Sequence, residues 1–250
     1  MYRDLVLGVL ITLQVTQVTS QCYFSIDTSG LYNLTVSTKP WWLSSGPFAF
    51  SSGGQWLSTE DGTLAVSNIS TLTAGDDVLG NYTETTWRIF HPSSDATMEA
   101  AIRSYDTNDS FVMFVQRFPN GLQKSATHPN KTISAFPSFR LDNQSEKGPG
   151  KLGYLSWGSY MLGDMDKKAG VLGPNATFND GLDGSGPLVI FDQKGHALVL
   201  SPFNNFMAAS VWQDDHAPLL DWGIMGGVDS LPPGFEHKTL AFCSNDGIGH

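Results

Sequence analysis

The sequence predicts an all-β protein: a large antiparallel β-sandwich of the supersandwich kind, with few or no helices. Three observations carry that expectation. No stretch of the 250 residues joins a capped start to ten positions of helical apolar period. About a dozen or more short strand-like runs recur at turn-punctuated spacing, which is the habit of a sandwich. Finally, Gly186–Trp212 holds three apolar runs in series: Leu188–Phe191, Ala197–Leu200 and Phe206–Val211. Their lack of polar alternation implies a sheet covered on both faces, so this stretch is expected at the centre.

Taken in order, Cys22–Ile26 and Leu31–Val36 read as a strand pair reversing at Asp27-Thr28-Ser29-Gly30. An aromatic region rich in glycine and serine follows, with Trp41, Trp42, Phe48, Phe50 and Trp56. Strand character resumes at Thr63–Val66 and again at Tyr82–Phe90. Asp95–Tyr105 fits either a helical face or a strand. The turn chemistry of Asp106–Asp109 and the apolar run Phe111–Val115 favour a hairpin. Pro137 makes Ile133–Leu141 an edge or bulged strand. Gln144–Gly150 reads as a polar loop, and Leu152–Trp157 and Ser159–Leu162 as strands around Gly158. Gly170–Gly186 is a polar excursion. Asp192–Gly195 gives a tight reversal between the first two central runs, and Leu220–Val228 and Lys238–Phe242 close the set around Pro232-Pro233-Gly234.

The ends and the composition bound the class. Arg3, the apolar Leu5–Leu13 and the small residues Val18-Thr19-Ser20 make residues 1–20 a secretory signal cleaved before Gln21. Residues 21–250 then form one domain, with no later segment apolar enough for a membrane span. Asn33, Asn68, Asn81, Asn108, Asn130, Asn143 and Asn175 each open an Asn-x-Ser/Thr triplet. Roughly two of the twelve asparagines would do so by chance. The excess points to a glycosylated product that is secreted, or lumenal or lysosomal. A net charge of −10 without a basic stripe argues against nucleic acid as a partner. Cys22 and Cys243, the two cysteines, stand near opposite ends. They could bridge in an oxidising compartment, remain buried thiols, or pair elsewhere.

The ordered set Ala100-Ala101-Ile102, then Phe114-Val115-Gln116-Arg117-Phe118-Pro119-Asn120-Gly121-Leu122, Phe136-Pro137-Ser138-Phe139 and Gly186–Asp192 resembles the N-terminal β-supersandwich of the α-galactosidase and raffinose synthase group of glycoside hydrolases. Galactose-mutarotase-like sandwiches share the same strand texture. The resemblance spans about residues 60–245. It implies that a catalytic (β/α)8 barrel follows in a longer form, and that this chain is an accessory domain. That group's catalytic aspartates stand on barrel strands, and no series of alternating strands and helices exists here to hold them. No catalytic residue is carried over. A stand-alone carbohydrate-binding module and a mutarotase-like enzyme are the alternatives.

Asp214, Asp215, His216, Asp221 and Asp229 form the densest titratable stretch. Adjacent strand residues face opposite ways, so Asp214 works better with His216 or Asp221 than with Asp215. These three are the weak catalytic candidates beside the reading of a solvated loop before Pro218. No spacing of ligands calls for a metal, and nothing calls for a cofactor. Flat indoles stack on sugar rings, which makes tryptophan the more informative residue. Trp87 and Trp212, flanked by strand residues, are expected in the core. Trp41 and Trp42 are adjacent, so one should face outward. Trp157 and Trp222 precede glycines that admit a close backbone approach. These four are the candidates for a carbohydrate or interdomain surface.

Overall fold

The structure is a computed structural model that describes residues 22–36, 41–106, 108–141, 151–158, 166–213, 218–245 and 247. In chain order, β1 (Cys22–Ile26), β2 (Tyr32–Val36) and β3 (Trp41–Ser44) form an antiparallel trio, and β4 (Ala49–Ser52) and β5 (Gln55–Ser58) a hairpin. A long meander follows: β6 (Ala65–Asp77), β7 (Gly80–Phe90), β8 (Thr97–Tyr105) and β9 (Asn108–Phe118). Short strands β10 (Leu122–Gln123), β11 (Ser134–Ala135) and β12 (Ser138–Arg140) lead to β13 (Gly153–Gly158) and β14 (Asp166–Val171). The chain closes with β15 (Leu188–Phe191), β16 (Ala197–Pro202), β17 (Ala209–Gln213), β18 (Leu219–Ile224), β19 (Ser230–Leu231) and β20 (Phe235–Ser244). Two single 3-10 turns, Gly181–Asp183 and Phe206–Ala208, are the helical content of the described residues. The protein is all-β, as its sequence predicts.

One layer is a nine-stranded antiparallel sheet in the order β14-β13-β15-β16-β20-β9-β8-β7-β6, which puts β20 in the middle. The opposing layer is pieced together from β1-β2-β3, β12-β18-β17 and β11-β4-β5. Backbone bonds join these pieces: Gly46 N–H to Ser138 O at 2.8 Å, Ile133 N–H to Ile224 O at 2.7 Å, and Ser51 N–H to Ile133 O at 2.7 Å. The core lies between the layers. Tyr32, Phe48, Phe136 and Phe139 from the pieced layer meet Trp87 and Phe114 from the large sheet, with ring centroids 5.4–6.5 Å apart. Tilted and edge-on contacts at that spacing suit the aromatic quadrupole. Each such ring also removes a large apolar area from water, so this cluster helps hold the layers together within one continuous core.

The far face of the large sheet is held differently. Arg103 Nε donates to Glu84 Oε2 at 2.6 Å across β7 and β8, and Arg117 forks onto the same carboxylate at 3.0 and 2.8 Å. Arg117 Nε also bonds Glu236 Oε2 at 2.8 Å, and Arg103 Nη1 bonds Asp77 Oδ2 at 3.0 Å. Burial alone would raise the Glu84 carboxyl, but the hydrogen bonds and charges of the two arginines outweigh it and hold it at about 2. Beside this ladder Ala101, Met113 and Val115 form a second, smaller apolar cluster, with Leu240 and Phe203 packed on it.

Two sequence expectations need correction. The run Phe206–Val211 is not a third strand of the central series. Asn205 takes a left-handed φ of 49°, Phe206–Ala208 turn as a 3-10 helix with Phe206 and Met207 exposed, and β17 begins only at Ala209, in the opposing layer beside β18. Nor are the central strands apolar on both faces alike, for in β16 the outward-facing Val199 and Ser201 are only partly buried. Several strands also lie outside the predicted set. Most of β6 and all of β14 are polar strands at the two edges of the large sheet, where pairing on one side leaves half the strand in water. The edge position expected of the Pro137 segment is present: it divides into β11 and β12, each at the border of its own three-stranded piece, and the Phe136–Pro137 peptide bond is cis. The expected hairpin over 95–118 is present as β8 and β9.

Candidate functional site

A pocket of about 220 Å³ opens on the pieced layer between β5 and β18. Its walls are Trp56 and Ser58 from β5, Glu60 and Asp61 from the turn after it, and Leu219 and Asp221 from β18, with Pro47 and Ala49 alongside. Trp56 is partly exposed, and its ring meets Trp212 edge-on at 6.0 Å and 87°. Lys131 Nζ in turn sits 4.7 Å above the Trp212 ring, a cation–π contact that fixes the supporting indole.

Asp221 is 2% exposed, and a carboxylate so buried needs partners. Ser138 Oγ donates to its Oδ1 at 2.6 Å. Ser138 is itself pinned by Tyr32, whose hydroxyl donates to Ser138 O at 2.9 Å and accepts from Ser138 N–H at 3.0 Å. Burial, with a smaller push from the Asp221 charge, raises the Tyr32 phenol far above its usual range, so it stays a neutral donor. Gly46 makes the arrangement sterically feasible: a Cβ there would stand 2.1 Å from Ser138 Oγ. On the opposite wall, Asp61 Oδ1 accepts from Thr63 Oγ1 at 2.6 Å and Thr63 N–H at 2.9 Å, the side-chain bond doing most to lower its pKa. Glu60 is bonded by Arg140 Nη2 at 2.9 Å. The result is a shallow cleft in which one indole and three carboxylates stand beside the apolar Pro47, Ala49 and Leu219 and the hydroxyl of Ser58.

The structure sorts the sequence candidates. Asp221 is in this pocket, while Asp214 and His216 lie outside the described residues. Trp41 on β3 and Trp222 on β18 are 1% and 0% exposed, so the expectation of a surface role fails for both. Each points into the core because alternation along its strand assigns it the inner face. Trp42 is partly exposed beside buried Trp41, and Trp157 is partly exposed on β13. Gly158 and Gly223 do admit a close backbone, but of this same chain, Asp183 O and Ser134 O standing 2.1 and 1.9 Å from where a Cβ would be. Trp87 is fully buried and Trp212 nearly so, as expected of core residues. Cys22 and Cys243 are joined by a disulfide, with Cα atoms 5.2 Å apart. Among the acceptor asparagines, Asn81, Asn108, Asn130 and Asn175 are exposed and Asn33 is partly so. Asn68 belongs to β6, and Asn143 lies outside the described residues. Trp56, Glu60 and Asp61 escaped the sequence reading. The trace they leave is a tryptophan after Gly53-Gly54 with two acids four and five residues on.

The fold therefore defines a class before any particular relative: a large two-layer antiparallel β-sandwich of the kind found as one part of a glycoside hydrolase. Two of the solved structures it resembles are of a glycoside hydrolase. An α-N-acetylgalactosaminidase of Bifidobacterium bifidum, in a quadruple mutant form, superposes with a TM-score of 0.53 at 10% identity, over 92% of this chain and 36% of that one. The same enzyme in complex with Gal-NHAc-DNJ gives 0.51 at 13% identity, again over 92% and 36%. The chain thus spans about a third of the length of these structures. No protein-family model matches the sequence, and no curated protein matches it at a significant level.

Proposed function

We propose that this chain is the accessory β-sandwich domain of a secreted, glycosylated α-galactosidase-like glycoside hydrolase, and that it supports a catalytic barrel carried in a longer form. The observation that supports this reading most is the fold match, which takes in nearly all of this chain yet only about a third of the hydrolase. The domain so defined buttresses the barrel and lends residues to the rim of its sugar site. Exposed acceptors at Asn81, Asn108, Asn130 and Asn175 and the Cys22–Cys243 bridge agree with passage through an oxidising, glycosylating compartment. Sequencing transcripts past the codon for His250 tests the proposal. An open frame running into alternating strands and helices is the expected result, and an in-frame stop in every transcript overturns it.

A second reading, a carbohydrate-binding module that acts by itself, is favoured by the Trp56 pocket. The two readings separate on whether the chain binds sugar with no second domain present.

A further inference from the structure

We propose that the pocket between β5 and β18 binds a single neutral or amine-bearing pyranose, its ring stacked on Trp56 and its hydroxyls donating to Asp61 and Asp221. This rests on the sugar-related reading above and gives it a site and a ligand class. The chemistry of the walls selects the ligand. Carboxylate oxygens accept hydrogen bonds, so Asp61 and Asp221 favour an occupant rich in donors, as a polyol or an ammonium is. The indole adds a flat apolar surface that suits the C–H face of a pyranose, and it also attracts a cation on its face.

Asp61, held ionised by its hydrogen bonds to Thr63, repels an acidic sugar, and the basic neighbour Arg140 is bonded to Glu60. The pocket is also preformed, which lowers the ordering cost of binding. Trp212 holds Trp56, and Ser138, itself held by Tyr32, fixes Asp221. Thr63 occupies one oxygen of Asp61, which keeps that carboxylate ionised and turned for use. A buried aspartate anchored from below by a serine and a tyrosine, beside an indole anchored from behind, is more than a solvated acidic loop requires.

The test uses the secreted chain with its glycans, titrated with three methyl glycosides: a neutral hexopyranoside, a 2-amino-2-deoxyhexopyranoside and a hexopyranosiduronate. Saturation-transfer NMR and calorimetry read the binding. The neutral and amino sugars should bind, and the uronate should bind at least tenfold more weakly. Trp56→Ala should weaken binding at least tenfold with an unchanged circular dichroism spectrum, whereas Phe206→Ala, at an exposed turn far along the chain, should leave it unaltered. Asp61→Asn should narrow the gap between uronate and neutral sugar. No binding by the folded chain, equal binding of the uronate, or full binding by Trp56→Ala would each overturn the proposal. Such a failure leaves the accessory-domain reading standing, because that reading turns on the reading frame beyond His250 and not on any sugar affinity of this pocket.

Discussion

His237 lies on β20 with its ring wholly inside the sandwich, and burial lowers its pKa to about 4, the Asn204 backbone offsetting this only in part. The unfolded chain takes up that proton near 6.5 and the folded chain near 4, so the unfolded state binds more protons in between. Stability is therefore full above about 6.5 and falls as the pH drops toward 4, by an amount on the order of 3 kcal/mol. Urea midpoints measured across that range should show the slope in the wild-type chain and lose most of it in His237→Leu. A second residue-scale prediction concerns Gly46. An added Cβ collides with Ser138 Oγ, so Gly46→Ala should cost about 1–3 kcal/mol, read as a lower Tm. Of the pocket residues, Asp221 was legible in the sequence because it belonged to a dense acidic stretch. Trp56 was not: its glycine-rich neighbourhood reads as a loop, and its partners on β18 come together with it only through the fold. Trp41 and Trp222 misled for the opposite reason, since a following glycine or a tandem tryptophan says nothing about which side of a strand faces the core.

At the scale of the strand, the sequence was most readable where apolar runs were bounded by turns. β1, β2, β7, β9, β15 and β16 all fall where such runs occur. It was least readable at the sheet borders. The residues Ser67–Thr73 of β6 carry serine and threonine, and Asp166–Lys168 of β14 are charged, since an edge strand has no second neighbour and polar or charged residues there discourage further pairing. β17 shows a different limit, for an apolar run can begin as an exposed 3-10 turn and continue in the other layer. Cross-strand charge also matters here. Glu84 bridges Arg103 and Arg117, so Glu84→Gln leaves each largely buried guanidinium with its other carboxylate alone, Asp77 or Glu236. A loss of about 3 kcal/mol in denaturant titrations is expected. The double variant Glu84→Gln with Arg103→Met should recover part of it.

Across the whole molecule, the disulfide ties β1 to β20 and so links the start of the pieced layer to the middle strand of the large sheet. With a sequence separation of 221 it closes nearly the entire chain. Its loss in Cys243→Ser should lower stability by about 2–5 kcal/mol, visible as a reduced unfolding midpoint that a reductant reproduces in the wild type. The same two-layer construction carries the functional argument. The described strands all serve sheets that shield one another or their own edges, and the pocket's carboxylates are held by Ser138, Thr63 and Arg140 around a plate of indole. The proposed function has this site retain a sugar without cleaving it. The most direct measurement is a hydrolysis assay of the purified chain on aryl α-galactoside and aryl α-N-acetylgalactosaminide. The account predicts release of the aryl group at the uncatalysed rate, and saturable turnover that survives further purification would contradict it.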